Sequence, residues 1–123
     1  MKNSPVDQIT IFRDALLERI LIFDGAMGTS IQDMGLHEDA FSGERFRNHP
    51  YDLKGNNDIL SLTTPHTISA IHNSFLEAGA DIITTNTFNS NAISQADYGL
   101  ENYTRELNRV SAQLARECVD NYP

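Results

Sequence analysis

Short apolar runs alternate with amphipathic stretches along this chain, and this alternation limits the fold more than any other feature of the sequence. Three runs are typical of strands buried in a parallel sheet, at residues 21–24, 59–63 and 81–87. The stretches between them carry apolar residues at spacings of three and four, the pattern of a helix with one buried face. Strands that alternate with helices form βαβ units, so the sequence predicts an α/β fold with parallel strands.

Residues that favour helix starts and stops bound the predicted helices. Ser4 and Pro5 suit the first helix start, and Asp7 follows where an acid favours the first turn. The last helix has the longest stripe, which consists of Leu100, Tyr103, Leu107, Val110, Leu114 and Cys118. The predicted helices cover residues 5–20, 27–34, 65–79, 89–98 and 100–118. Residues 37–57 lack such a pattern and predict a long connection with little regular structure.

Composition narrows the class of protein and of partner. The chain has 123 residues, enough for one domain, and its 9 Lys+Arg against 17 Asp+Glu give a net charge of -8. An acidic surface repels phosphate backbones, so we expect no nucleic-acid partner. No run of about 18 apolar residues or signal peptide is present, so we expect no membrane contact. A single cysteine, Cys118, suits a reducing cytoplasm.

Asp24-Gly25-Ala26-Met27-Gly28-Thr29 follows the first apolar run directly. The glycines let the backbone turn and approach a ligand, and free N–H groups at a helix start near Met27 attract a carboxylate. Asp24 offers an acceptor for an ammonium group, so the turn fits both ends of an amino acid. The alternative is a tight strand-to-helix turn with a capping Asp, because short glycine motifs have many false positives.

Other candidate residues are more ambiguous. Residues 53–58 have the composition of a turn. Thr84 to Phe88 end the third run, where polar side chains either line a barrel mouth or cap a helix. Cys118 lies within the last apolar stripe and is expected to be a small buried hydrophobe. The histidines at 37, 49, 66 and 72 lack metal-ligand spacing, so we expect no metal site.

Several blocks together resemble the homocysteine S-methyltransferase family. The blocks are residues 23–29, Leu53-Lys54-Gly55-Asn56-Asn57-Asp58, and residues 78–88, which include Thr84-Thr85-Asn86-Thr87-Phe88. The second block, with residues 95–101 and 106–109, resembles the cobalamin-dependent methionine synthase branch of that family. The likeness extends from about Leu21 to Val119. It implies methyl transfer from methylcobalamin to the thiolate of homocysteine.

The resemblance also implies a fold and a metal. Family members are (β/α)₈ TIM barrels of about 250 residues, so residues 1–123 are expected to be an N-terminal fragment with the first three βα units after an N-terminal helix. In the family, zinc is held by three cysteine thiolates late in the barrel and activates the homocysteine thiol. This chain has one cysteine and no match to those ligands. We therefore expect it to bind neither zinc nor methylcobalamin and to be inactive alone.

The amino-acid half of the site is what the resemblance carries over. Asp24 is expected to bind the ammonium, and the turn Gly25-Ala26-Met27 the carboxylate through backbone N–H groups. Asn86 is expected to line the same mouth. The family often has an acidic residue where Thr84 stands, which counts against a role for Thr84.

Partners and alternatives follow from the same likeness. The folate- and cobalamin-binding modules of the complete enzyme are expected partners. Self-association through the apolar face of 100–118 is also expected, because a partial barrel leaves edges uncovered. The alternatives are a binding module without chemistry, a self-associating fragment, and a cobalamin-independent homocysteine S-methyltransferase.

Overall fold

The computed structural model describes residues 4–123, most of which are helical. Their α-helices are α1 (Pro5–Glu18), α2 (Met27–Asp33), α3 (Glu38–Ser42), α4 (Leu60–Thr63), α5 (Pro65–Glu77), α6 (Ala92–Ala96) and α7 (Thr104–Asn121). Two 3-10 turns, Asn57–Ile59 and Glu101–Tyr103, lead into α4 and α7. The predicted helices are thus confirmed in kind, with bounds shifted by a few residues.

The first and third apolar runs lie side by side in parallel, but they do not form a regular sheet. Among the described residues, the only β pairing is an isolated bridge between Phe23 and Ile82. Asp24 N–H donates to the Ile82 carbonyl at 2.8 Å, and Asp81 N–H donates to the Ile22 carbonyl at 2.8 Å. With α5 between them, these segments have the order of a βαβ crossover. Three regular strands were predicted, and that prediction is wrong.

The second apolar run is helical, so strand 59–63 is a wrong prediction. The 3-10 turn at Asn57–Ile59 continues into α4, and Ile59 and Leu60 are completely buried. They join a core cluster formed with residues such as Leu53, Ile68 and Leu107. Periodicity could not separate the alternatives, since a short buried helix and a buried strand are both continuously apolar. The regular strands of the three predicted βα units are therefore absent from residues 4–123.

The connection over 37–57 is more ordered than predicted. It contains α3, and Phe41, Phe46 and Leu53 from this region are buried in the core. The Glu38 carboxylate accepts from the Leu53 and Lys54 N–H groups, each at 2.7 Å. These two bonds hold the segment around Leu53 against the start of α3, so the connection folds back on itself.

Helix α7 packs its apolar face inward against α4 and α5. Leu107 is fully buried and Cys118 is 7% exposed, which confirms Cys118 as a small buried hydrophobe. Ser111 is also completely buried, and its hydroxyl is hydrogen-bonded to buried partners, which offsets the cost of burying a polar group. Most of the face 100–118 is therefore covered by α4 and α5, which removes the reason for expecting self-association through it.

Helix α1 carries the apolar surface that stays uncovered. Ser4 caps it as predicted, in a capping box with Asp7, yet none of its residues is buried. Arg19, just beyond α1, forms a two-bond ion pair with Asp81 at 2.6 and 2.9 Å, which lowers the pKa of Asp81 to about 2. The ion pair fixes the end of α1 to the parallel pair of segments, while the apolar stripe faces solvent.

Candidate functional site

The pocket formed at the ends of the two parallel segments brings together the residues selected from the sequence. Its volume is about 680 Å³, and Asp24, Gly25, Ala26, Met27 and Asn86 all line it. The remaining lining residues are Gly28, Gly55, Asn57, Asp58, Thr84, Thr85, Thr87, Phe88 and Asn89. Segments far apart in sequence meet here because the run before Asp24 and the run before Asn86 lie in parallel.

Asp24 is held in one orientation by Thr84. The Thr84 N–H donates to Oδ2 of Asp24 at 2.9 Å, and the Thr84 hydroxyl donates to Oδ1 at 3.0 Å. A carboxylate oxygen can accept more than one hydrogen bond, so Asp24 retains acceptor capacity toward the pocket. Thr84, which the sequence comparison argued against, thus orients Asp24. An acidic side chain at this position could not donate such a bond.

The turn from Gly25 to Met27 presents unpaired backbone donors. Helix α2 begins at Met27, and the Gly25, Ala26 and Met27 N–H groups donate no hydrogen bond to any of residues 4–123. Such groups attract an anionic ligand. The turn itself does not require glycine, because neither Gly25 nor Gly28 has a positive φ.

Replacement by alanine should have opposite effects on stability at Gly28 and at Gly99. A Cβ on Gly28 would meet its nearest atom, in Asn57, at 3.8 Å, whereas Gly99 has φ +65° and a Cβ there would lie 2.8 Å from Tyr51. Because alanine favours helix by about 0.5–1 kcal/mol, Gly28→Ala should be neutral or stabilising. Gly99→Ala should lower the free energy of unfolding by more than about 1 kcal/mol, through strain and the clash. Urea unfolding of both variants checks this, and equal effects would contradict it.

Asn86 is fixed by its amide nitrogen, which leaves its oxygen available. Asn86 is 5% exposed, and its Nδ2 donates to the Asn57 carbonyl at 2.9 Å and to Ser61 Oγ at 3.3 Å. No described residue donates to its Oδ1, which is therefore free to accept from a ligand in the pocket. The Asn86 carbonyl accepts from Ser111 Oγ at 3.2 Å. Both the side chain and the backbone of Asn86 are thereby positioned.

A buried polar network lies behind the pocket, and sequence reasoning missed it. Asn56 and Gln95 exchange two amide hydrogen bonds, at 2.8 and 3.2 Å, and Gln95 Nε2 also donates to the Asn89 carbonyl at 3.0 Å. Asp58 accepts from the Asn89 N–H and the Ser90 hydroxyl. Beyond its part in the family resemblance, Asn56-Asn57-Asp58 was interpreted as a turn. Its burial between helices was the missing information, since exposed turns have the same composition.

The charge of this pocket is negative. Asp24 and Asp58 line it, and no Lys, Arg or His is among its lining residues. A second cavity of about 840 Å³ shares Gly28, Gly55 and Asn57 with it and carries Lys54 and His37 instead. The first pocket therefore suits a ligand with an ammonium group, whose carboxylate would have to rely on backbone N–H groups.

Metal donors are not gathered at the pocket. Within residues 4–123, no group of three or more His, Cys, Asp or Glu side chains could hold a metal ion. The cysteine thiol of α7 lies elsewhere, with Cys118 Sγ 3.8 Å from the Ser69 carbonyl. His72 is completely buried, and neither of its ring nitrogens has a hydrogen-bond partner in this part of the chain. Burial lowers the pKa of His72, so it is a neutral core residue.

A search for membrane-spanning helices and one family match complete the description of this part of the chain. No helix among residues 4–123 combines the length and the apolar character needed to cross a membrane. The family model described as homocysteine S-methyltransferase matches residues 21–123, which include every residue that lines the pocket.

Proposed function

Because the chain belongs to the homocysteine S-methyltransferase family, we propose that its pocket binds homocysteine, as the amino-acid-binding part of a cobalamin-dependent methionine synthase. In the complete enzyme, a methyl group would pass from methylcobalamin to the homocysteine thiolate. The observation that carries the proposal is the pocket itself, where the Asp24 carboxylate, one free amide oxygen and unpaired backbone N–H groups converge.

Each end of the amino acid has a matching group in this proposal. Asp24 and Asn86 Oδ1 accept hydrogen bonds from the ammonium group. The Gly25, Ala26 and Met27 N–H groups donate to the carboxylate. The side-chain thiol would then be left for the remainder of the pocket.

Zinc does not fit the residues present. The thiolate donors that the resemblance implies are missing, because the only cysteine is buried in α7 and does not line the pocket. We therefore assign this chain binding and orientation of homocysteine, and no chemical step. The second candidate function, amino-acid binding without chemistry, is favoured by this same observation.

Affinity tests the proposal. A charge-assisted hydrogen bond contributes about 1.5–3 kcal/mol, and ordering a small ligand offsets much of that. We expect a Kd for L-homocysteine of about 1 mM or weaker, which corresponds to about -4 kcal/mol. Titration of the chain under reducing conditions measures this Kd. Equal affinity for analogues in which a neutral amide or alcohol replaces the carboxylate would contradict the proposal.

Incubation with methylcobalamin and homocysteine should give no methionine from this chain alone.

Self-association remains part of the proposal, through α1 rather than α7. The stripe of Ile9, Phe12, Leu16 and Ile20 is exposed and continues into Ile22 and Phe23, each 61% exposed. A second copy that packs on this surface would remove it from water.

Sedimentation should show this association and its location. We expect a concentration-dependent dimer at tens of micromolar, because the large apolar side chains of the stripe are each at least 45% exposed. Leu16→Glu should shift the population to monomer, since it would bury a charge in the interface. Thr10→Glu, on the same helix but outside the stripe, is the matched control and should not. A monomeric parent, or equal effects of both variants, would refute the location.

A further inference from the structure

Asp58 is a buried carboxylate at the pocket that has no assigned role in ligand binding. It is 2% exposed, lies in the 3-10 turn before α4, and lines the pocket together with Asp24. Its Oδ2 accepts from the Asn89 N–H at 3.0 Å and the Ser90 hydroxyl at 2.5 Å. Among residues 4–123, none outside Asp58 itself donates to its Oδ1.

No cation neutralises Asp58 within residues 4–123. The arginine ion pairs there involve Asp81, Glu106, Glu44 and Asp120 instead. Burial raises the pKa of Asp58, and the bonds from Ser90, from Asn89 and from the backbone N–H of Asp58 itself only partly oppose that effect. The folded chain therefore keeps an unpaired carboxylate in a position that costs stability whenever it is ionised.

Anchoring the loop does not explain the charge. Both bonds from Asn89 and Ser90 reach a single oxygen of Asp58, and an amide oxygen could accept the same two bonds. An asparagine would therefore hold the loop without a buried charge. What an asparagine would lack is attraction for a cation in the pocket.

We propose that Asp58 is a second ammonium-binding carboxylate of the pocket, which the bound amino acid neutralises. This deepens the proposed function and rests on it. Asp24 and Asp58 would then face the ammonium from different segments, and Asp58 would at the same time hold the loop that follows Asn86. The charge of Asp58 lowers the stability of the folded chain, and the same charge would attract the ammonium group.

Stability against pH gives the first test, with Asp58→Asn. A carboxyl group whose folded pKa is raised favours the folded state at low pH, and this contribution is lost as pH rises from its ordinary value of 3.8 through the raised value. Asp58→Asn lacks that loss, so its Tm should exceed that of the parent by several degrees at pH 7 and by less near pH 4. The titratable groups nearby are Asp24 in the pocket, Glu38 on α3 and His72, which interacts with Asp24; all three are common to parent and variant.

Ligand affinity gives the second test. Asp58→Asn should weaken binding of L-homocysteine about tenfold, the range of one lost charge-assisted interaction. It should leave binding of 4-sulfanylbutanoate, which lacks the ammonium, unchanged or improved. Asp52→Asn removes the same charge from an exposed position outside the pocket and is the matched control. NMR titrations of all three proteins with both ligands measure the effects.

The outcomes separate the two proposals. A more stable Asp58→Asn variant with selectively weaker homocysteine binding supports the role of Asp58. A variant that is less stable, or that binds both ligands as the parent does, overturns it and leaves the proposed function in place. If the parent itself binds no homocysteine, the proposed function fails, and the role of Asp58 fails with it even where Asp58→Asn is stabilising.

Discussion

Leu60→Ala should lower the free energy of unfolding by about 2–5 kcal/mol, the range for removal of a fully buried leucine side chain. Leu60 begins α4, is completely buried, and belongs to the main core cluster. Domains of this size are stable by about 5–15 kcal/mol, so the loss is a large share of the total. Urea unfolding measures it.

Leu62→Ala is the matched control for this change. Leu62 lies two residues further along the same helix and is only partly buried, so its replacement should cost clearly less. In a strand, residues two apart share one face and would be buried alike. Similar losses for the two variants would therefore contradict the helical assignment of this segment.

Asp24→Asn should weaken homocysteine binding by at least about tenfold, because it removes the charge of a charge-assisted bond. It also places an amide NH₂ against one of the two donors of Thr84. Thr84→Val is the control, since it removes one of those donors but keeps the Asp24 charge and should cost much less. Equal affinities for parent and Asp24→Asn, measured by titration, would remove Asp24 from the site.

The alternation of apolar runs and helical stripes correctly predicted that two distant segments lie in parallel, but it wrongly predicted regular strands. The runs around Phe23 and Ile82 do lie in parallel, with α5 as the connection. The run at 59–63 is helical, because burial on all sides makes a short helix and a short strand alike in sequence. Helix α7 was found from its stripe, but its buried face also includes Ser111, whose hydrogen-bond partners could not be known from spacing.

The candidate site was predictable where a motif follows an apolar run. Asp24 and Asn86 each follow one of the two parallel runs, so their meeting in one pocket follows from parallel pairing. Asp58 follows no such run, and the composition of residues 53–58 indicated a turn. Its place in the pocket depends on the packing of the 3-10 turn before α4, which only the tertiary structure determines.

The central claim, that this pocket binds homocysteine through both ends of the amino acid, is tested most directly by mapping ¹H–¹⁵N shifts during titration with L-homocysteine. The account predicts that the Gly25, Ala26 and Met27 amides shift together and saturate at millimolar ligand, because their N–H groups would contact the carboxylate. Shifts that map instead to the second cavity, around His37 and Lys54, or no saturable shift in the pocket, would contradict it.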